Sequence, residues 1–148
     1  MNGRSPSVTP GGYGGESTTN LPSRSTIVRR GAVALGGSIV GNLLVLAFAL
    51  VTLGSGGFDP LAVGPVTVAT ATGVVGAVAV YALFVRLFAE RADRRFVAIA
   101  AVVCLASFVT LVEAATIPGA TTGRLAALGA MHVVPAVVCV AALTRVWR

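Results

Sequence analysis

The sequence predicts an all-α membrane protein: a transmembrane four-helix bundle, antiparallel and up-down-up-down, behind a disordered N-terminal tail. Three observations lead there. Of 148 residues, 55% are hydrophobic and only 11% charged, with a mean hydropathy of +0.90; a water-soluble domain carries about 25% charged residues and could not be covered with so few. The apolar residues, mainly Ala, Val and Leu, run in unbroken blocks without a polar stripe, and a block of about 18 or more is long enough to cross a bilayer. The basic residues, all of them Arg, sit mostly at the edges of those blocks, which is how membrane topology is encoded.

Residues 1–30 form the tail. They are Gly, Ser, Thr, Pro and Asn with hardly any apolar side chain, too little surface to offset the entropy of ordering. The membrane domain is 31–148. Its first span, about 31–53, reaches about 35 Å at 1.5 Å per residue, enough for a hydrocarbon layer of about 30 Å. GSGGFDP then ends the helix, because Gly releases the backbone and Pro60 cannot continue it. The second span is about 66–88, with Pro65 suited to a helix start. AERADRR, at 89–95, reads as a short turn. The third span is about 96–116, closed by Pro118 and the glycines around it, and the fourth about 125–146. Connections this short make neighbouring spans run antiparallel.

Orientation follows from Arg. Arg24, Arg29 and Arg30 precede the first span; Arg86, Arg91, Arg94 and Arg95 surround the second connection; Arg145 and Arg148 close the chain. Only Arg124 falls on the opposite side. The positive-inside rule therefore places both termini in the cytoplasm of a multi-pass cell-membrane protein, with Arg29, Arg30, Arg91, Arg94, Arg95, Arg145 and Arg148 as topology anchors. Arg29–Arg30 also resembles a twin-arginine export signal, but the apolar stretch behind it exceeds the usual h-region of about 7–15 residues. The anchor reading is preferred. The net charge of +6 does not indicate nucleic acid, since the charges mark span edges rather than a basic face with polar or aromatic readers. The bilayer is the expected partner.

Few residues carry chemistry. Gly37 and Gly41 are spaced as GxxxG, and Ala69, Gly73 and Ala77 recur at every fourth position of the second span. Small residues at that spacing let helix backbones approach in lipid. The pattern serves homodimerisation or packing within the bundle, and packing is the expectation. Asn42 lies near the middle of the first span, on one face with Ser38, at the depth of Thr70 and Thr72; interhelical bonding is its expected role. Glu113 and His132 form a candidate proton or polar site: their depths differ by only about 6 Å, and ionisable groups within spans are functional candidates. The alternative is a fastener, with Glu113 hydrated and His132 bonded to a backbone carbonyl. Gly129 and Pro135 flank His132 and loosen its helix. Cys104 and Cys139 lie in apolar blocks with no ligand spacing, so neither a metal site nor a redox motif is expected. HExxH, GxSxG, P-loop and dinucleotide patterns are all missing. No catalytic residue and no cofactor is expected.

From about Arg29 onward, the RRG entry at 29–31, Asn42 in the small-residue first span and the AMHVV run at 130–134 resemble a family of small prokaryotic four-helix membrane proteins classed as a domain of unknown function. That resemblance implies the topology and no activity. The expected role is non-enzymatic: a structural or interaction component of the membrane, packing with itself or with a membrane partner. The alternative is a small transporter or proton-coupled carrier using Glu113 and His132.

Overall fold

The computed structural model describes residues 22–144, and those residues are helical throughout apart from short connections. Five α-helices occur among them: α1 (Arg24–Leu53), α2 (Val63–Phe88), α3 (Ala92–Ser107), α4 (Val109–Ala114) and α5 (Thr122–Leu143). Three helical stretches are long and apolar enough to cross a membrane: Arg24–Leu53, Val63–Ala114 and Thr122–Leu143. The second of these, 52 residues long, contains the second expected span and all but the last two residues of the third.

The expected turn at AERADRR is tighter than its seven residues suggest. A single 3-10 turn, Ala89–Arg91, separates α2 from α3, and residues 92–95 already belong to α3. The chain nevertheless reverses there. The rings of Tyr81 and Phe96 meet at 5.2 Å, whereas a straight helix would hold them about 22 Å apart. Ala89 makes the reversal with φ 44° and ψ −111°, a conformation that a residue with a Cβ seldom adopts. Arg95 closes the corner, its guanidinium 3.8 Å from the centre of the Phe88 ring.

α1 starts seven residues earlier than expected, because Ser23 caps it: the Ser23 hydroxyl accepts from the backbone N–H of Thr26. Residues 24–30, assigned to the tail from their polarity, are therefore its first turns. Residues 1–21, the rest of the expected tail, and the anchors Arg145 and Arg148 lie outside the described residues. The third expected span is interrupted at Phe108. There the hydroxyl of Ser107 bonds the Cys104 carbonyl and that of Thr110 bonds the Ser107 carbonyl, both at 2.6 Å, which draws the backbone into a tighter turn.

α1 packs against α5 and α2, and α3 packs against α2 and α5. Partners across α1 and α5 run in opposite order: Arg30 meets Leu143, Gly37 faces Val138, Gly41 faces Val134 and Asn42 meets Met131. Two arginines hold this pair at its two ends. Arg30 of α1 donates to the carbonyl of Leu143, the last residue of α5, at 2.9 Å. Arg124 of α5 donates to the carbonyls of Leu53 and Gly54 at the end of α1, at 2.9 and 3.1 Å, and to Gly119 at 2.6 Å. Each guanidinium thus meets the carbonyls that a helix C-terminus leaves unpaired. The Arg124 guanidinium lies directly against Gly56, where any Cβ would collide with it.

Two apolar clusters fill the interior. One gathers Ala34, Val74, Tyr81, Val85, Phe96 and Leu143 near the Ala89 turn. The other gathers Leu46, Ala49, Phe58, Leu61, Val66 and Met131 at the opposite end, where Phe58, only 2% exposed, plugs the bundle from the α1–α2 connection. The side chains of Ser38, Asn42 and Thr70 lie between the two clusters along their helices and are themselves buried.

Candidate functional site

Asn42 is the polar centre of the bundle. Its amide nitrogen donates to the Thr70 hydroxyl at 2.8 Å and to the Met131 carbonyl at 3.0 Å. The second bond has a cause in the sequence of α5. Pro135 has no N–H, so the carbonyl four residues before it loses its helical donor, and that carbonyl belongs to Met131. Asn42 supplies the missing hydrogen from another helix. In an apolar interior an unpaired carbonyl is costly, so this exchange keeps α5 continuous through its proline. Thr70 passes its own proton to the Val66 carbonyl at 2.7 Å. These partners fix the orientation of the amide: nitrogen must face the Met131 carbonyl, which only accepts. The Asn42 oxygen, buried, is then left without a donor.

His132 is half-buried on the other side of α5. Its Nδ1 lies 2.8 Å from the Leu128 carbonyl and its Nε2 lies 3.3 Å from the Thr110 hydroxyl. Glu113 is exposed on α4, and among the described residues its carboxylate has no hydrogen bond or ion pair. The structure therefore does not bring Glu113 and His132 together. His132 instead sits on a backbone carbonyl and meets Thr110, one turn before Glu113. Cys104 and Cys139 are both free thiols. Among the described residues, no three His, Cys, Asp or Glu side chains are placed to hold a metal ion.

The two small-residue stripes have different surroundings. A Cβ on Gly37 or Gly41 would stand 3.2 or 2.8 Å from a methyl of Val138 or Val134, so this part of α1 is pressed onto α5. Gly73, by contrast, has nothing within 4 Å of a Cβ position. Ala69 and Gly73 are exposed, Ala77 is half-buried against the core cluster that includes Ala34 and Phe96, and all three line a cavity of about 530 Å³ between α2, α3 and α5. Most of its wall is aliphatic, with Asn42, Thr70, Cys104, Ser107, His132 and Cys139 supplying the polar groups. Ala69, Gly73 and Gly76 of α2 and Ile99 and Val103 of α3 are exposed beside it, so the cavity opens sideways between two helices. Sequence reasoning missed this space, because small residues at every fourth position read equally as a contact and as a gap.

The remaining anchors are placed as follows. Arg29, Arg91, Arg94 and Arg95 are exposed, and Arg30 is half-buried in its bond to α5. Arg124, expected only as the stray charge on the opposite side, ties three backbone carbonyls together with its side chain. Tyr81, 1% exposed, donates to the Asp93 carboxylate at 2.9 Å across the Ala89 turn.

No curated protein and no solved structure matches the chain. A family model matches residues 22–148, taking in all of the described helices and beginning just before the Ser23 cap. On that match, the chain belongs to the family of unknown function DUF6069.

Proposed function

We propose that this protein is a non-enzymatic, four-pass component of the cell membrane, up-down-up-down with both termini cytoplasmic, that acts by packing with itself or with a membrane partner. The observation that carries this reading is the apolar outer face. Val33, Val40, Leu44, Phe48 and Val51 of α1 all point outward, Val51 being 87% exposed. Such a surface suits lipid or another apolar helix and not water. The reversal at Ala89 supports dividing Val63–Ala114 into two passes, and the clustering of Arg on one side of that scheme supports the orientation.

Two measurements test it. Gentle detergent extraction followed by mass spectrometry of intact complexes should find a second copy or a co-purifying membrane chain; a strictly monomeric protein without a partner counts against the packing role. Tags on either terminus should resist proteases added to intact cells and become cleavable in inverted vesicles. A terminus cut from outside removes the four-pass scheme.

A further inference from the structure

The sideways cavity holds an imbalance of hydrogen-bonding groups. Its hydroxyl donors are already committed: Thr70 to the Val66 carbonyl and Ser107 to the Cys104 carbonyl. The Cys104 thiol faces the His132 carbonyl at 3.9 Å, and Cys139 lies against Ser38. Both N–H groups of Asn42 are used. Its acceptors are not matched in the same way. The Asn42 oxygen and the Ser38 hydroxyl both lack a partner, but each is sealed away from the cavity. The Leu128 carbonyl only accepts, so Nδ1 of His132 carries a proton, and in the neutral ring Nε2 presents a lone pair. The nearest hydroxyl to Nε2 is that of Thr110, whose proton points to the Ser107 carbonyl at the shorter distance of 2.6 Å. The lone pair of His132 Nε2 thus borders an aliphatic cavity whose own hydroxyls are committed elsewhere.

The missing component is a donor on an apolar body. We propose that the cavity binds a lipid-soluble alcohol or phenol, entering between α2 and α3 and donating its hydroxyl proton to His132 Nε2. The volume of about 530 Å³ falls within the range of about 300–1,000 Å³ for small-molecule sites. A carboxylate or phosphate would set negative charge against that lone pair, and an ammonium would need to shed its hydration to pass the aliphatic mouth. A neutral hydroxyl meets neither obstacle. Gly73 and Gly76, open at the mouth, leave the passage between the helices clear.

This inference uses the sideways opening and not the number of passes, so it is tested on the full chain purified in detergent. The probes are a long-chain primary alcohol bearing a photoactivatable diazirine and the methyl ether of the same molecule, which keeps the shape and lacks the donor. After illumination, labelled peptides are mapped. The alcohol should label α2 and α3 around the cavity about fivefold more than the ether, the factor contributed by one neutral hydrogen bond. Gly73→Leu places a side chain in open space at the mouth and should abolish labelling with the fold intact. His132→Phe should reduce the alcohol to the level of the ether. Equal labelling by alcohol and ether overturns the proposal, as does labelling that survives Gly73→Leu. Cross-links from the cavity lining to a second copy would also overturn it, by assigning the opening to a helix. Failure of the four-pass scheme would appear in the terminus-accessibility experiment and leave these readouts unaffected.

Discussion

Arg30 and Arg124 are reciprocal: each rises from the first turns of one helix of the α1–α5 pair and holds the last carbonyls of the other. The charge meets the negative end of a helix dipole as well as unpaired acceptors. Replacing Arg124 with Gln leaves the Leu53, Gly54 and Gly119 carbonyls without a charged donor. Because the group is half-buried, the expected cost is about 1–2 kcal/mol of unfolding free energy. Arg30→Gln removes one bond and should cost about 1 kcal/mol or less. Thermal unfolding in a mild detergent, followed by circular dichroism, would rank the two.

Asn42 and Pro135 should be coupled. Asn42→Ala strands the Met131 carbonyl and should lower stability by about 1–2 kcal/mol. In a Pro135→Ala background, the alanine supplies its own N–H to that carbonyl, and the same Asn42→Ala change should cost less. A double-mutant cycle should return a coupling of about 0.5–1 kcal/mol. Strict additivity would mean that the amide does not compensate for the proline.

Gly41 and Gly73 should respond to alanine in opposite directions. A methyl on Gly41 meets the stiff, β-branched Val134 at 2.8 Å, and overpacking of this kind costs about 1–3 kcal/mol. A methyl on Gly73 meets nothing and gains helix propensity, so Gly73→Ala should stabilise by about 0.5–1 kcal/mol. Comparing melting temperatures under identical detergent conditions decides the matter.

Ala89→Gly should stabilise the corner between α2 and α3. At φ 44° and ψ −111° the alanine Cβ is crowded and glycine is not, a difference of about 1 kcal/mol. Ala89→Val should act in the opposite sense, seen as a drop in melting temperature and faster proteolysis at the turn.

Glu113 and His132 should behave independently. Glu113→Gln on an exposed site should shift stability by less than about 0.5 kcal/mol. His132→Ala loses contacts to Leu128 and Thr110 and should cost about 1 kcal/mol. The double variant should equal the sum. A coupling above about 1 kcal/mol, or loss of proton flux into liposomes when both are replaced, would favour the carrier reading over the packing one.

Much of this architecture was legible in the residues. Apolar runs located the helices, Pro60 and Pro118 located two of the breaks, and Thr70 was among the partners foreseen for Asn42. Boundaries were less legible. Ser23 caps α1 seven residues upstream of the apolar block because a helix is bounded by its caps and not by the edge of its hydrophobic stretch. The Phe108 interruption was hidden because Ser107 and Thr110 bend the backbone without any Gly or Pro to mark it. Sequence position gives the depth of Glu113 and His132 but not the azimuth of the elements that carry them. The role of Arg124 needed two connections, at 54–57 and 119, to meet in space. The cavity beside Gly73 was the least legible feature, since a gap and a tight contact call for the same small side chains.

The bond from Arg30 to the Leu143 carbonyl spans 2.9 Å, which makes the start of α1 and the end of α5 neighbours. A short glycine-serine bridge should therefore be able to join residue 144 to residue 22, with fresh ends opened at the Gly56–Gly57 connection. By the same adjacency, a reporter fragment attached before Ser23 is delivered beside one attached after Thr144, so a split fluorescent protein should reassemble within a single molecule when the fragments replace the segments outside residues 22–144.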